Sequence, residues 1–131
     1  DLDALERELS KGDVALVLTE PALTNIGIVL PEPGFLEGIR RLCDEYGTLL
    51  LIDETHTISA GWGGCTREWD LQPDVFVIGK SIGGGIPCGA YGITEQVAQP
   101  QQHAGEVGEM RRWYASATQC SELRRPRTAG G

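Results

Sequence analysis

The residue pattern predicts an α/β chain, part of a mostly parallel sheet with flanking helices. Three observations predict it. Val14 to Thr19 (VALVLT) and Thr48 to Ile52 (TLLLI) are near-continuous apolar runs of strand length, the pattern of strands buried on both faces. Between them, Phe35, Leu36, Ile39, Leu42, Cys43 and Tyr46 recur at the spacing of one helix face. A third short run, Val75 to Gly79 (VFVIG), follows. Strand, helix and strand at this spacing make a βαβ unit.

In chain order, Leu2, Leu5 and Leu9 mark a first helix, with Asp1 or Asp3 able to cap its start and Lys11 and Gly12 to end it. The first apolar run is the first strand. Glu20 to Gly34 carries three prolines and two glycines and reads as mostly loop. The second helix runs from Phe35 and stops at Gly47. The second strand closes on Asp53, the third on Lys80, and Ala90 to Thr94 suits a fourth. In open parallel sheets, ligands bind beyond the carboxyl ends of the strands. Asp53 and Lys80 both fall there, which puts an acid and an amine on one rim.

Composition bounds the rest. The chain has 131 residues, 40% of them hydrophobic and 23% charged, as in an ordinary globular protein rather than a disordered chain. Eleven basic against nineteen acidic residues give a net charge of −8, which argues against nucleic acid and anionic membranes as partners. No apolar run reaches the roughly 18–20 residues that span a bilayer. DLDALERELS has neither the basic nor the apolar region of a signal peptide, and without an initiating Met the chain reads as a fragment. Four cysteines without a C-x-x-C pair, with two histidines, offer no metal constellation and suit a reducing cytoplasm. Residues 1–100 hold six basic and sixteen acidic groups, whereas 101–131 hold five and three, the basic ones all Arg. We expect a first domain over 1–100 and a divergent or weakly ordered, solvated tail over 101–131.

Three chemistries compete for the two strand ends. Gly79-Lys80-Ser81 imitates the end of a P-loop, and Leu49 to Glu54 an acidic nucleotide-site strand, but Asp74 stands where the P-loop needs glycine. Gly79-Lys80-Ser81-Ile82-Gly83 satisfies the serine-hydrolase G-x-S-x-G pattern, yet glycines and a proline follow where a helix is required. Only Glu95 and His103 remain as partners downstream. The third is pyridoxal phosphate chemistry: a strand-end lysine forms a Schiff base with the cofactor aldehyde, and a neighbouring carboxylate keeps the pyridine nitrogen protonated. Lys80 and Asp53 meet those demands.

The order of motifs then adds a resemblance. Glu20-Pro21, Thr24 to Val29, Pro31 to Leu36, Leu51-Ile52-Asp53-Glu54, Pro73-Asp74 and Gly79 to Pro87 together resemble the class III aminotransferases of PLP fold type I, closest to the branch containing glutamate-1-semialdehyde 2,1-aminomutase. The resemblance implies a central piece of the large domain of a PLP-dependent enzyme, either transaminase or aminomutase, working on small amino donors and acceptors as a homodimer. It implies that Lys80 holds the cofactor and Asp53 faces the pyridine nitrogen. Thr55 stands where the family usually has a valine on one ring face, and His56 where many members have a glutamine near the ring 3-oxygen. Asn25 stands where ω-aminotransferases often carry a gating glutamate, and would meet substrate. An inactive fragment or interaction module is the non-enzymatic alternative. Glu54 is expected to lie just behind the site, and Trp62, Trp69 and Tyr91 to pack rather than stack on a cofactor.

Overall fold

The computed structural model describes residues 1–99, and Asp1–Ala98 forms one compact unit. The expected tail over 101–131, with His103, lies outside the described residues. Helix α1 covers Leu2–Leu9, and the Asp1 carboxylate accepts from the Ala4 N–H as its cap. Strand β1 covers Leu16–Thr19. The loop that follows turns back on itself through a bridge between Leu23 and Val29, and Pro21 is fully buried. Helix α2 covers Phe35–Tyr46 and ends at Gly47, whose φ of 65° is the left-handed stop that glycine supplies.

Strand β2 covers Leu49–Asp53; a 3₁₀ turn at Thr57–Ala60 and the short helix α3, Gly64–Glu68, lead to strand β3, Val75–Ile78. A second 3₁₀ turn, Lys80–Gly83, precedes strand β4, Ala90–Ile93, and the short helix α4, Glu95–Ala98. The sheet order is β1-β2-β3-β4, parallel up to β3 and antiparallel at β4. It is therefore mostly parallel, with β4 the exception.

One face of the sheet carries the core. Leu50 and Ile52 meet Leu36, Ile39 and Cys43 of α2, with Val17, Leu2 and Leu5 packed around them. Burial of this stripe is what holds α2 on the sheet, since apolar area removed from water is the main stabilising term. Asp74 ties the same elements from the start of β3. Its Oδ2 accepts from the Leu50 N–H at 2.8 Å and from Arg40 of α2 at 2.8 Å. Arg40 also pairs with Asp44 one turn on.

The other face bears out the expectation of burial on both sides for β2, where Leu50, Leu51 and Ile52 are all buried, and corrects it for β1. Side chains alternate along a strand and in-register partners share a face. Leu16, Leu18, Asp53 and Tyr91 thus share the face opposite α2. Leu18 is 61% exposed and Tyr91 56%. β1 is an outer strand with β2 on one side only, so its apolar run is half-covered at best among the described residues. Trp62, expected to pack, is 88% exposed, whereas Trp69 is only 38% exposed. No helix among the described residues is long and apolar enough to cross a membrane.

Candidate active site

Register brings the strand-end groups together. β2 and β3 are parallel neighbours with Asp53 opposite Val77, so Lys80 follows only three residues after the partner of Asp53. Both lie at the carboxyl edge, the edge at which open parallel sheets bind ligands. Asp53 is half-buried and ends β2. Its Oδ1 accepts from the Thr55 N–H at 2.8 Å, a local turn that fixes the carboxylate. Its Oδ2 has no hydrogen-bond partner among the described residues, so one oxygen is anchored and one is available.

Lys80 has a φ of 44°, a left-handed backbone that costs a residue with a Cβ about 1 kcal/mol or more. Gly79 before it is extended, and a Cβ there would meet the Thr55 side chain at 3.6 Å, so the two strand ends touch closely. The Lys80 amine lies 2.6 Å from His56 Nε2. No carboxylate among the described residues pairs with it. Lys80 is exposed: the described residues wall the site on the β2 side and leave it open elsewhere.

Thr55 and His56 sit on the turn between β2 and the 3₁₀ segment, so the structure groups Asp53, Thr55, His56 and Lys80. The His56 carbonyl accepts from Ser59 Oγ at 3.2 Å. Asn25 is exposed in the loop after β1, next to the bridge partner Gly27, and has no hydrogen bond to that group.

Glu54 is the residue whose part the sequence reading undervalued. It is fully buried, and its carboxylate accepts from Thr57 Oγ1, from the Cys65 N–H at 3.2 Å and from the Thr66 N–H. Buried carboxylates require such donors. Glu54 therefore pins the N-terminus of α3 and the 3₁₀ turn beneath the site. Gly64 lies against it with φ of 66°, and a Cβ there would approach the carboxylate to 2.7 Å. A threonine three residues after the acid was the available signal. Cys65 is buried beside it; burial first, then the Glu54 charge, push its thiol upward.

Ser81, the hydrolase candidate, donates back to the Gly79 carbonyl at 3.4 Å, and no imidazole among the described residues bonds to it. The segment after it is a four-residue 3₁₀ turn rather than the helix a nucleophile elbow needs. The same turn, with Asp74 occupied in bracing the sheet, leaves no P-loop geometry.

Known proteins resemble this chain over most of its length. The family model described as aminotransferase class-III matches residues 1–118. The glutamate-1-semialdehyde 2,1-aminomutase of Roseiflexus castenholzii is 46% identical over 110 residues, 82% of this chain and 25% of its own length. Among solved structures, a variant of the glutamate-1-semialdehyde-aminomutase of Pseudomonas aeruginosa PAO1 in complex with PMP is 45% identical. It superposes with a TM-score of 0.73 over 82% of this chain and 26% of that one. The ornithine delta-aminotransferase of Plasmodium falciparum is 31% identical, with a TM-score of 0.69 over 80% of this chain and 29% of its own. The chain spans about a quarter of the length of the curated relatives it matches.

Proposed function

The chain belongs to the class III aminotransferases, and from that premise we propose that it supplies the lysine and aspartate of a pyridoxal 5′-phosphate site in an amino-group-transferring enzyme. The residues present fit the cofactor. A carboxylate with one anchored and one available oxygen suits a protonated pyridine nitrogen, and a lysine on the neighbouring strand end suits the aldehyde. Bound there, the cofactor supplies an electron sink for the pair left at a substrate carbon.

The chain's own groups do the rest. Asp53 holds its negative charge against the far end of the ring and so favours the protonated nitrogen. Lys80 would hold the cofactor through its aldehyde, and its amine would serve as the base that moves a proton at the substrate carbon. Thr55 would pack on one ring face and His56 would lie near the ring 3-oxygen. Asn25, on the loop after the neighbouring strand β1, meets substrate. The observation that carries the reading is the placement of Asp53 and Lys80 at the carboxyl ends of adjacent parallel strands.

Net chemistry is amino-group transfer between two small molecules or within one. Higher identity to the aminomutases than to the ornithine enzyme favours the aminomutase-like branch. A homodimer in the cytoplasm completes the reading. Cys43, Cys65 and Cys88 are free thiols, as a reducing compartment keeps them. The net charge of −8 favours neither nucleic acid nor an anionic membrane.

The test is to incubate the protein with pyridoxal phosphate, reduce with borohydride and map the modified lysine. Label belongs at Lys80; the chain has one other lysine, Lys11, and label there alone would overturn the assignment. A second reading has its own observation in the quarter-length coverage: the chain by itself is an inactive piece or interaction module. Tight cofactor binding with turnover by the isolated 131 residues would exclude it.

A further inference from the structure

Glu54 also grips the turn that carries the site residues. Cys65 and Thr66 reach it through backbone N–H groups at the start of α3, which leaves the Thr57 hydroxyl as its one side-chain donor among the described residues. Thr57 is itself buried and opens the 3₁₀ turn after β2. Its bond therefore loops the chain back from residue 57 to residue 54. The Ile58 N–H closes the same loop on the Glu54 carbonyl at 2.9 Å, and the Glu54 N–H donates to the Val77 carbonyl of β3 at 2.9 Å. Only Thr55 and His56 lie inside the loop, so their backbone is fixed at both ends. The Thr55 N–H donates to Asp53 Oδ1 at 2.8 Å, and its aim decides which carboxylate oxygen is anchored and which is presented. The Thr55 side chain also abuts Gly79, 3.6 Å from where a Cβ would stand, so the same backbone bears on the residue before Lys80.

Resting on the reading of Asp53 and Lys80 as the cofactor pair, we infer that Thr57, held by Glu54, is a positioning residue of that site. It acts through the Thr55 N–H, and so turns one Asp53 oxygen toward the pyridine nitrogen. A hydroxyl donating to a carboxylate in a dry interior makes a strong and directional bond, which suits it to fix a neighbouring turn. The role is indirect: the pair holds the geometry of the acid, and no proton or electron moves through it.

Paired substitutions at Thr57 in the 131-residue chain test it. Thr57→Val removes the donor with little change of shape and leaves both bonds from α3, whereas Thr57→Ser keeps the donor. The first readout is amide hydrogen exchange by NMR, without cofactor. Thr57→Val is expected to speed exchange at Thr55 about tenfold relative to the β2 amides, and Thr57→Ser to stay close to the parent. The second is the Lys80-to-Lys11 ratio of borohydride label, expected to fall several-fold in Thr57→Val and to hold in Thr57→Ser. Asp74→Ala, which loosens the opposite end of β3, is the control for lost stability alone. Compared at the same folded fraction, it is expected to match the parent in both readouts. An unchanged Thr55 amide in the valine variant, a serine variant that behaves like valine, an unchanged label ratio, or an Asp74→Ala variant that reproduces both changes would each overturn the inference. Failure of the cofactor reading looks different: label at Lys11 alone in the parent removes that reading and this role with it, while label at Lys80 with unchanged Thr55 exchange in Thr57→Val removes this inference alone.

Discussion

Replacing Gly64 by alanine isolates the energetic worth of the buried Glu54 anchor. Two costs add. Gly64 has φ of 66°, where a Cβ costs about 1 kcal/mol. The new Cβ would also lie 2.7–2.8 Å from the Glu54 carboxyl carbon and both oxygens. Glu54 is fully buried, so to move it must loosen at least one charge-assisted bond from Thr57, Cys65 or Thr66, worth about 2 kcal/mol. The sum is about 3 kcal/mol. Gly12→Ala is the control: its φ is 73°, with nothing within 4 Å of the added Cβ, so only the first cost applies. A domain of this size loses roughly 4–8 °C of melting temperature per kcal/mol. Thermal unfolding followed by circular dichroism should show a drop of about 5 °C for Gly12→Ala and about 15 °C for Gly64→Ala, with urea midpoints in the same order. Equal drops for the two variants would refute the claim that Glu54 is held rigidly against Gly64.

Three further outcomes are expected. Asp74→Ala leaves the Leu50 N–H and Arg40 without their shared acceptor and should cost about 2 kcal/mol in urea unfolding, with a non-additive cycle against Arg40→Ala. Lys80→Gly should melt higher than Lys80→Ala by the equivalent of about 1 kcal/mol, because glycine accepts a φ of 44°; the reverse order would mean that the backbone is not left-handed there. Iodoacetamide near pH 8 should alkylate exposed Cys88 well before Cys43 and Cys65. Burial raises both of the latter thiols, so less thiolate is present at any given pH, and their labelling should catch up only as pH climbs or the chain unfolds.

The strand ends were legible because the signals around them agree. TLLLI and VFVIG are short apolar runs of β-forming residues, and each stops at a charged residue, so Asp53 and Lys80 could be set on one edge before any coordinates. Helix α2 was legible from its stripe and from Gly47. Other features depend on partners remote in the chain. An apolar run such as Leu16 to Thr19 states that burial is favourable, not which element supplies it, and β1 was read as more enclosed than it is. Glu54 takes donors eleven and twelve residues downstream, where no local pattern announces them. The His56–Lys80 contact joins residues 24 apart and follows only from the β2–β3 register.

Asp74 sits where β3 begins, and Lys80 just past where it finishes. The sheet is thus stapled like the spine of a book, with its pages free at the opposite margin. Whatever occupies that margin can arrive and leave without disturbing the binding. Durability and reactivity are therefore separately adjustable in this chain, and damage to one should leave the other readable.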